Sequence, residues 1–191
     1  GLARRGLDPM SAQIVKADPG ANYCKTFDID LAAVEPTVAT PGDPRNGVPL
    51  ARLRKEKGEV KVNIAYGGSC TGGKKADMDM YAAVVRRALD KGHALKAKTY
   101  IQFGSQRIRD YAEQMGYVGL FEGAGVELID PSCGACIKAG PGVSFTPDEV
   151  TVSAINRNFP GRSGPGQVYL ASPLVVVASA FLGYVGGPDE L

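Results

Sequence analysis

One strand–turn–helix segment, VNIAYGGSCTGGKKADMDMYAAVV, constrains the fold of this chain more than any other stretch. Its apolar run from Val62 to Tyr66 ends at two glycines, and a segment with helical spacing follows a second glycine pair. That order predicts a buried strand, a tight turn and a helix. Cys70 lies in the turn. A thiol is therefore expected where the strand ends.

The same alternation of strand and helix continues to the end of the chain. Strands are predicted over residues 60–66, 99–103, 126–129 and 150–154. Helices are predicted over residues 76–89, after Ser105, around Leu120 and from Ser172 to about Leu182. This alternation indicates an α/β fold with three layers, α/β/α, in which a mostly parallel sheet is covered on both faces.

The first 58 residues are predicted to be an extended N-terminal segment that precedes an α/β domain over residues 59–191. Residues 1–22 show no clear period, whereas TFDIDL at 26–31 alternates apolar and polar residues, which predicts a short half-buried strand. Residues 35–49 are rich in proline and glycine and indicate a long exposed connection. This connection is either a plain linker or a loop that contacts another part of the protein.

Composition and charge exclude several classes of function. The net charge is +2, and no dense basic run with interleaved aromatic residues indicates a nucleic-acid partner. No apolar stretch approaches the roughly 20 residues of a membrane span. The N-terminus lacks the apolar core of a secretion signal, and a chain that opens on Gly1 is expected to be a processed or excised piece. Four cysteines without an export signal are expected to be thiols in a reducing compartment, the cytoplasm or, in a eukaryote, the mitochondrial matrix.

Three of the cysteines are expected to meet in space. Cys133 and Cys136 form a C-x-x-C motif after the third predicted strand, and Cys70 follows the first. Because ligands gather beyond the carboxyl ends of parallel strands, these motifs and the segment after the fourth strand should converge on one edge of the sheet. Cys24 has no nearby partner and is predicted to be a buried structural cysteine.

The spacing of the cysteines leaves several interpretations open. Three thiolates without a good fourth ligand suit a [4Fe–4S] cluster with one open iron, which would act as a Lewis acid on a substrate hydroxyl. A zinc site needs a fourth ligand, which only Cys24 or His93 could supply, and His93 lies in a polar turn. A thiol oxidoreductase and purely structural cysteines are the other two interpretations.

The segment INRNFPGR carries the candidate residues for binding an anion. Arg157 and Arg162 flank a Pro-Gly turn, with Asn156 immediately before them. A guanidinium group gives a planar, bidentate and permanently charged contact to a carboxylate. Arginines in a turn are equally well explained as surface residues, but their place beside the predicted cysteine edge favours a substrate with two or three carboxylates.

At these residues the chain resembles the aconitase and isopropylmalate dehydratase family of iron–sulfur hydro-lyases. The similarity runs through GSCTGGKKADM, SCGAC, SAINRNFPGR and YLASPLVVVASAFLGYV, and DPGANYCKTFDIDLAAVEP is similar to the strand by which the family enters this domain. The resemblance implies that Cys70, Cys133 and Cys136 hold a [4Fe–4S] cluster. It also implies that Asn156 lies beside the cluster and that Arg157 and Arg162 bind substrate carboxylates.

Two positions depart from the family pattern, although neither removes a ligand. Gly72 replaces an asparagine that is common just after the first cysteine, and Ala135 stands where many members have proline. Because of these two departures, the motifs do not indicate which subgroup of the family the chain resembles.

The resemblance also implies a larger enzyme. Family members are much longer, and their histidine–aspartate pairs and catalytic serine base come from regions without a counterpart here. The chain is therefore expected to be the cluster-bearing third domain, with the remaining domains or a subunit as its partners. The whole would dehydrate and rehydrate a hydroxy-di- or tricarboxylate of the citrate, isocitrate or isopropylmalate type, and this chain alone would be inactive. The alternative is a non-catalytic iron–sulfur or zinc-binding module.

Overall fold

A seven-stranded sheet organises the part of the chain that the computed structural model describes, residues 16–191. Its strands are β1 (Thr37–Ala39), β2 (Gly47–Pro49), β3 (Ile64–Gly68), β4 (Lys98–Gln102), β5 (Glu127–Ile129), β6 (Val150–Ser153) and β7 (Gln167–Leu170). The strand order is β2-β1-β7-β6-β3-β4-β5. The five strands from β7 to β5 run parallel, and β1 is antiparallel to both of its neighbours. The predicted α/β class with a mostly parallel sheet is confirmed.

Helices follow most of the strands, as the alternating pattern predicts. They are α1 (Leu50–Lys57), α2 (Ser69–Gly72), α3 (Lys75–Asp90), α4 (Gln106–Gln114), α5 (Tyr117–Gly123) and α6 (Pro173–Leu182). The Ser172 side chain caps α6 by accepting a hydrogen bond from the Val175 N–H at 3.4 Å, with proline at the first helical position. Among residues 16–191, no helix combines the length and the apolar character that a membrane span requires.

The two faces of the sheet pack against different partners. Ala65 on β3 and Val152 on β6 belong to an apolar cluster that includes Val176 of α6. Neighbouring residues on a strand point to opposite faces, so Tyr66 lies on the other side of the sheet from Ala65. There Tyr66 forms a separate small cluster with Ala135, which follows β5. The segment after β5, with its two cysteines, therefore packs directly on the sheet.

The chain divides after Val34 into two compact units. In the first unit, the described residues 16–34 are irregular except for one turn of 3-10 helix at Leu31–Ala33. The strand predicted over residues 26–31 is wrong: these residues pair with no strand in the described part of the chain, and Phe27 is 70% exposed. Alternation alone makes no strand without a neighbour to complete its hydrogen bonds.

Cys24 is also placed differently from the prediction, because it is exposed rather than buried. It lies in the irregular stretch of the first unit, where no helix or strand forms around it. The extended structure predicted for residues 1–15 lies outside the described residues.

The Pro/Gly-rich connection is more ordered than its composition indicates. It contains β1 and β2, which form an antiparallel hairpin, and β1 joins the sheet where Ala39 pairs with Leu170. Val38 is 1% exposed. The hairpin and α1 belong to the second unit, residues 35–191, whereas the sequence predicts a domain start at residue 59. The division of the whole protein into domains stays a prediction.

Candidate metal and anion site

The candidate site lies at the carboxyl edge of the sheet, where the strand order reverses. The chain starts the parallel sheet at β3, adds β4 and β5 on one side, and then returns to add β6 and β7 on the other. Such a reversal opens a crevice between the carboxyl ends of β3 and β6. Cys70 follows β3, Asn156 follows β6, and the Cys133–Cys136 turn follows β5. The topology therefore brings all three predicted segments to one edge.

Tyr81 of α3 holds the turn that carries Cys70. Its hydroxyl accepts a hydrogen bond from the Gly68 N–H at 2.8 Å and donates one to the Gly72 carbonyl at 2.8 Å. Burial raises the pKa of Tyr81 well above its ordinary value, so the hydroxyl stays protonated and able to donate. Both ends of the turn are thus fixed to one buried side chain.

Gly72 is the position where the chain departs from the asparagine of the family pattern. A Cβ atom at Gly72 would lie 2.8 Å from the Ala154 Cβ and 3.1 Å from the Tyr81 hydroxyl. Atoms do not approach so closely without displacing a neighbour, so no larger side chain fits here. Ala154 and Tyr81 together occupy the space that a side chain at position 72 would need.

Ser69 connects the Cys70 turn to the second cysteine motif. It is buried and has a φ of 64°, a left-handed conformation that costs a non-glycine residue about 1–3 kcal/mol and needs support from its surroundings. Its side chain lies close enough to Cys136 to lower the pKa of that thiol. The sequence contains no signal that separates this serine from an ordinary turn residue.

Cys70 lies close enough to Cys136 to influence the pKa of the Cys136 thiol. Burial raises the pKa of Cys136, and the nearby Cys70 adds to this rise. The nearby Ser69 side chain and the positive charge of Arg162 act in the opposite direction. Ser69 and Cys70 follow β3 and Arg162 follows β6, while Cys136 itself follows β5, so the structure brings the segments after three strands together around one thiol.

Cys133 belongs to the same turn as Cys136 but is exposed. It precedes the 3-10 helix Gly134–Ile137, and the Cys136 N–H donates to the Cys133 carbonyl at 3.1 Å. Side chains three residues apart in a 3-10 helix lie nearly above one another, so both thiols leave the same side of the turn. The donor set, three thiols with two of them close together, fits an iron–sulfur cluster in its chemistry.

Within residues 16–191, no three His, Cys, Asp or Glu side chains are arranged as a metal-binding group, so the three cysteines do not form a preassembled site. His93 precedes β4 and therefore lies at the amino edge of the sheet, opposite the cysteines. Cys24 belongs to the first unit. A zinc site formed by the second unit alone would therefore lack the fourth ligand that zinc requires.

The arginine loop, residues 156–162, presents two guanidinium groups to the same edge. Arg162 is half-buried and donates from Nη2 to the Asn156 Oδ1 at 3.3 Å, while its buried Nε has no hydrogen-bond partner among residues 16–191. Arg157 is exposed. In the described part of the chain, neither arginine forms an ion pair. A shielded guanidinium N–H without an acceptor suits an anionic oxygen.

Asn158, which no sequence motif singled out, anchors the arginine loop. Its Nδ2 donates to the Thr40 carbonyl at 2.8 Å and to the Val168 carbonyl at 3.1 Å, and its own carbonyl accepts from the Gly42 N–H at 3.2 Å. The Pro/Gly-rich hairpin thus contacts the loop, which is the second of the two interpretations of that segment. No local pattern distinguishes Asn158 from Asn156, because its partners lie in the β1–β2 turn and on β7.

These features define an α/β protein with a thiol-rich, cationic crevice at its topological switch point. The model of the aconitase family (aconitate hydratase) matches residues 7–183, so the chain belongs to that family. The predicted family is therefore confirmed.

Named relatives cover nearly all of this chain. It is 36% identical over 193 residues to the mitochondrial homoaconitase of Gibberella zeae, a match that covers 98% of this chain and 24% of the relative. It is 37% identical over 182 residues to the 3-isopropylmalate dehydratase large subunit of Acetivibrio thermocellus, with 94% and 41% covered. The corresponding subunit of Moorella thermoacetica is 35% identical over 189 residues, with 98% and 43% covered. The chain thus spans between about a quarter and two fifths of these relatives.

Proposed function

We propose that the chain is the cluster-bearing part of an iron–sulfur hydro-lyase that removes and re-adds water on a hydroxy-di- or tricarboxylate. The observation that carries the proposal is the proximity of Cys70 and Arg162 to Cys136 at the switch point of the sheet. Soft thiols suit an iron–sulfur cluster, and an unpaired guanidinium suits a carboxylate. Relatives named isopropylmalate dehydratase and homoaconitase support this class of reaction and substrate.

Each site residue has a distinct task in this proposal. Cys70, Cys133 and Cys136 would hold a [4Fe–4S] cluster, which when bound supplies a Lewis-acidic iron that polarises the C–O bond to be broken. Asn156 orients Arg162 through their hydrogen bond, and the guanidinium of Arg162 binds a substrate carboxylate. Arg157, on the same loop, binds a second carboxylate.

No proton transfer is assigned to this chain. The catalytic base comes from the remaining domains or from a partner subunit, and the chain by itself is inactive. Because thiol ligands must stay reduced, the protein works in a reducing compartment such as the cytoplasm or the mitochondrial matrix. Turnover of citrate or isopropylmalate by this chain alone would contradict this division of tasks.

Anaerobic reconstitution with ferrous iron and sulfide tests the proposed function. We expect a brown protein that binds about four iron ions per chain, with an absorption spectrum that changes when citrate or isopropylmalate is added. A colourless protein that retains zinc would instead support a metal-binding module. A Cys133–Cys136 disulfide that forms and reduces rapidly would support a thiol oxidoreductase.

Lysine in place of Arg162 is expected to weaken the spectral response to the hydroxycarboxylate. Lysine keeps the charge but loses the planar bidentate contact, so the apparent Kd should rise by about 10- to 100-fold. Titration of the reconstituted protein measures this change, with iron content determined in parallel. Arg107→Lys is the matched control, because Arg107 is exposed on α4. Equal affinities in the two variants would remove Arg162 from the substrate site.

A further inference from the structure

Gln102 is a polar side chain with no exposed surface at the end of β4. Its Oε1 accepts a hydrogen bond from the Tyr66 hydroxyl at 2.8 Å. Its Nε2 donates to the Ser132 hydroxyl at 2.6 Å, the Ser132 carbonyl at 3.0 Å and the Asp130 carbonyl at 3.2 Å. Carbonyl oxygens can only accept, which requires the NH₂ group to face them. Gln102 therefore links β3 to the segment that immediately precedes Cys133.

The register of the sheet makes this link possible. Tyr66 pairs with Tyr100 on the neighbouring parallel strand, and Gln102 lies two residues further along, on the same face. An amide oxygen accepts but cannot donate, so the Tyr66 hydroxyl is the donor to the Gln102 Oε1. Gln102 can then only accept at Oε1, and its amide group is left to hold the loop.

The Cys133–Cys136 turn rests on these same two side chains. A Cβ atom at Gly134 would lie 2.8 Å from the Tyr66 hydroxyl and 3.2 Å from the Gln102 Nε2. Ala135 is buried in the same small apolar cluster as Tyr66. The turn is thus in contact with Tyr66 and Gln102 over consecutive residues.

We propose that Gln102, together with Tyr66, is a positioning residue that holds the Cys133–Cys136 turn in the conformation that receives the cluster, an inference that rests on the proposed function. The volume of Gln102 does not require a polar side chain, since methionine would fill it. Apart from Tyr66, its hydrogen-bond partners all lie in residues 130–132. The amide NH₂ group of this buried residue therefore binds only the segment that leads into the turn.

Gln102→Met in the full chain tests this role through the reactivity of individual thiols. Methionine keeps the volume but removes every hydrogen bond, so the turn should open and expose the half-buried Cys136. We expect alkylation of Cys136 by iodoacetamide, in the reduced and metal-free protein, to accelerate about tenfold. Cys133 is already exposed and should change little, so the ratio of the two rates, measured by mass spectrometry, reports the turn alone.

Two further variants separate positioning from a general loss of stability. Gln114→Met makes the same substitution at an exposed position on α4 and should leave the ratio unchanged. Ser132→Ala removes one acceptor of the Gln102 amide without touching the core, and should raise the ratio by a smaller factor, about threefold. If Gln102→Met lowers the Tm but leaves the ratio at the wild-type value, Gln102 serves only the fold and the inference is wrong.

Reconstitution gives a second readout that distinguishes this inference from the proposed function. We expect Gln102→Met to lose iron to a chelator about tenfold faster than the wild type, within the range known for residues that orient metal ligands. A wild type that binds no iron would contradict the proposed function. A changed ratio of the Cys136 and Cys133 alkylation rates in Gln102→Met would still support the positioning role of Gln102. Equal rates of iron loss from both proteins would overturn the positioning role and leave the function standing.

Discussion

Serine in place of Cys136 is expected to reduce the iron bound after anaerobic reconstitution by more than about tenfold, since even groups that only orient metal ligands cost 10- to 100-fold in affinity. A serine hydroxyl is a harder donor than a thiolate and stays protonated at neutral pH, so it cannot replace the sulfur. The two side chains are similar in size, and the fold should be unchanged. Iron and sulfide per chain, with circular dichroism as the test of folding, measure the effect.

The other cysteines supply the controls for this experiment. Cys24→Ser makes the same chemical change in the first unit and should leave the iron content at the wild-type value. Cys70→Ser and Cys133→Ser should behave like Cys136→Ser. A Cys133→Ser protein with full iron content would contradict the set of three ligands, because a thiol that is exposed in the structure would then play no part in binding.

Alanine in place of Gly68 is expected to destabilise the fold by about 4 kcal/mol or more, the range that marks a specific structural conflict. Its Cβ would lie 1.9 Å from the Gln102 carbonyl oxygen, in the backbone of the neighbouring strand. Gly68 pairs with Gln102 in the parallel register, so the two strands cannot separate without losing their hydrogen bonds. Its φ of 96° is also a conformation that residues with a side chain rarely adopt. Denaturant unfolding measures the loss.

Gly116→Ala is the matched control for the steric part of this effect. Gly116 also has a positive φ, 70°, but a Cβ there would meet no atom within 4 Å. The cost should therefore be only the conformational one, about 1–2 kcal/mol. Similar losses in the two variants would show that backbone conformation, rather than the approach of β4, requires glycine at position 68.

The sequence predicted the positions of the cysteine motifs after their strands better than it predicted the N-terminal part of the chain. A run of apolar residues that ends in glycines at Cys70, and a C-x-x-C after a later strand, are local patterns that survive folding. The strand predicted over residues 26–31 failed because alternation is also local, whereas a strand needs a partner elsewhere in the chain. The strands β1 and β2 were not predicted, because a Pro/Gly-rich composition is typical of a loop. The pairing of β1 with β7, far along the chain, stabilises the hairpin that they form.

The sequence by itself determined the class of the fold, the family, and the edge of the sheet to which Cys70, Cys133 and Cys136 belong. All of these follow from the order of short motifs along the chain, because the direction of a parallel strand decides where the next residues lie. Only the tertiary structure decided which side chains hold those motifs in place. Gln102 and Asn158 contact residues from 10 to 118 positions away, and such contacts depend on strand register and order. No local pattern contains that information.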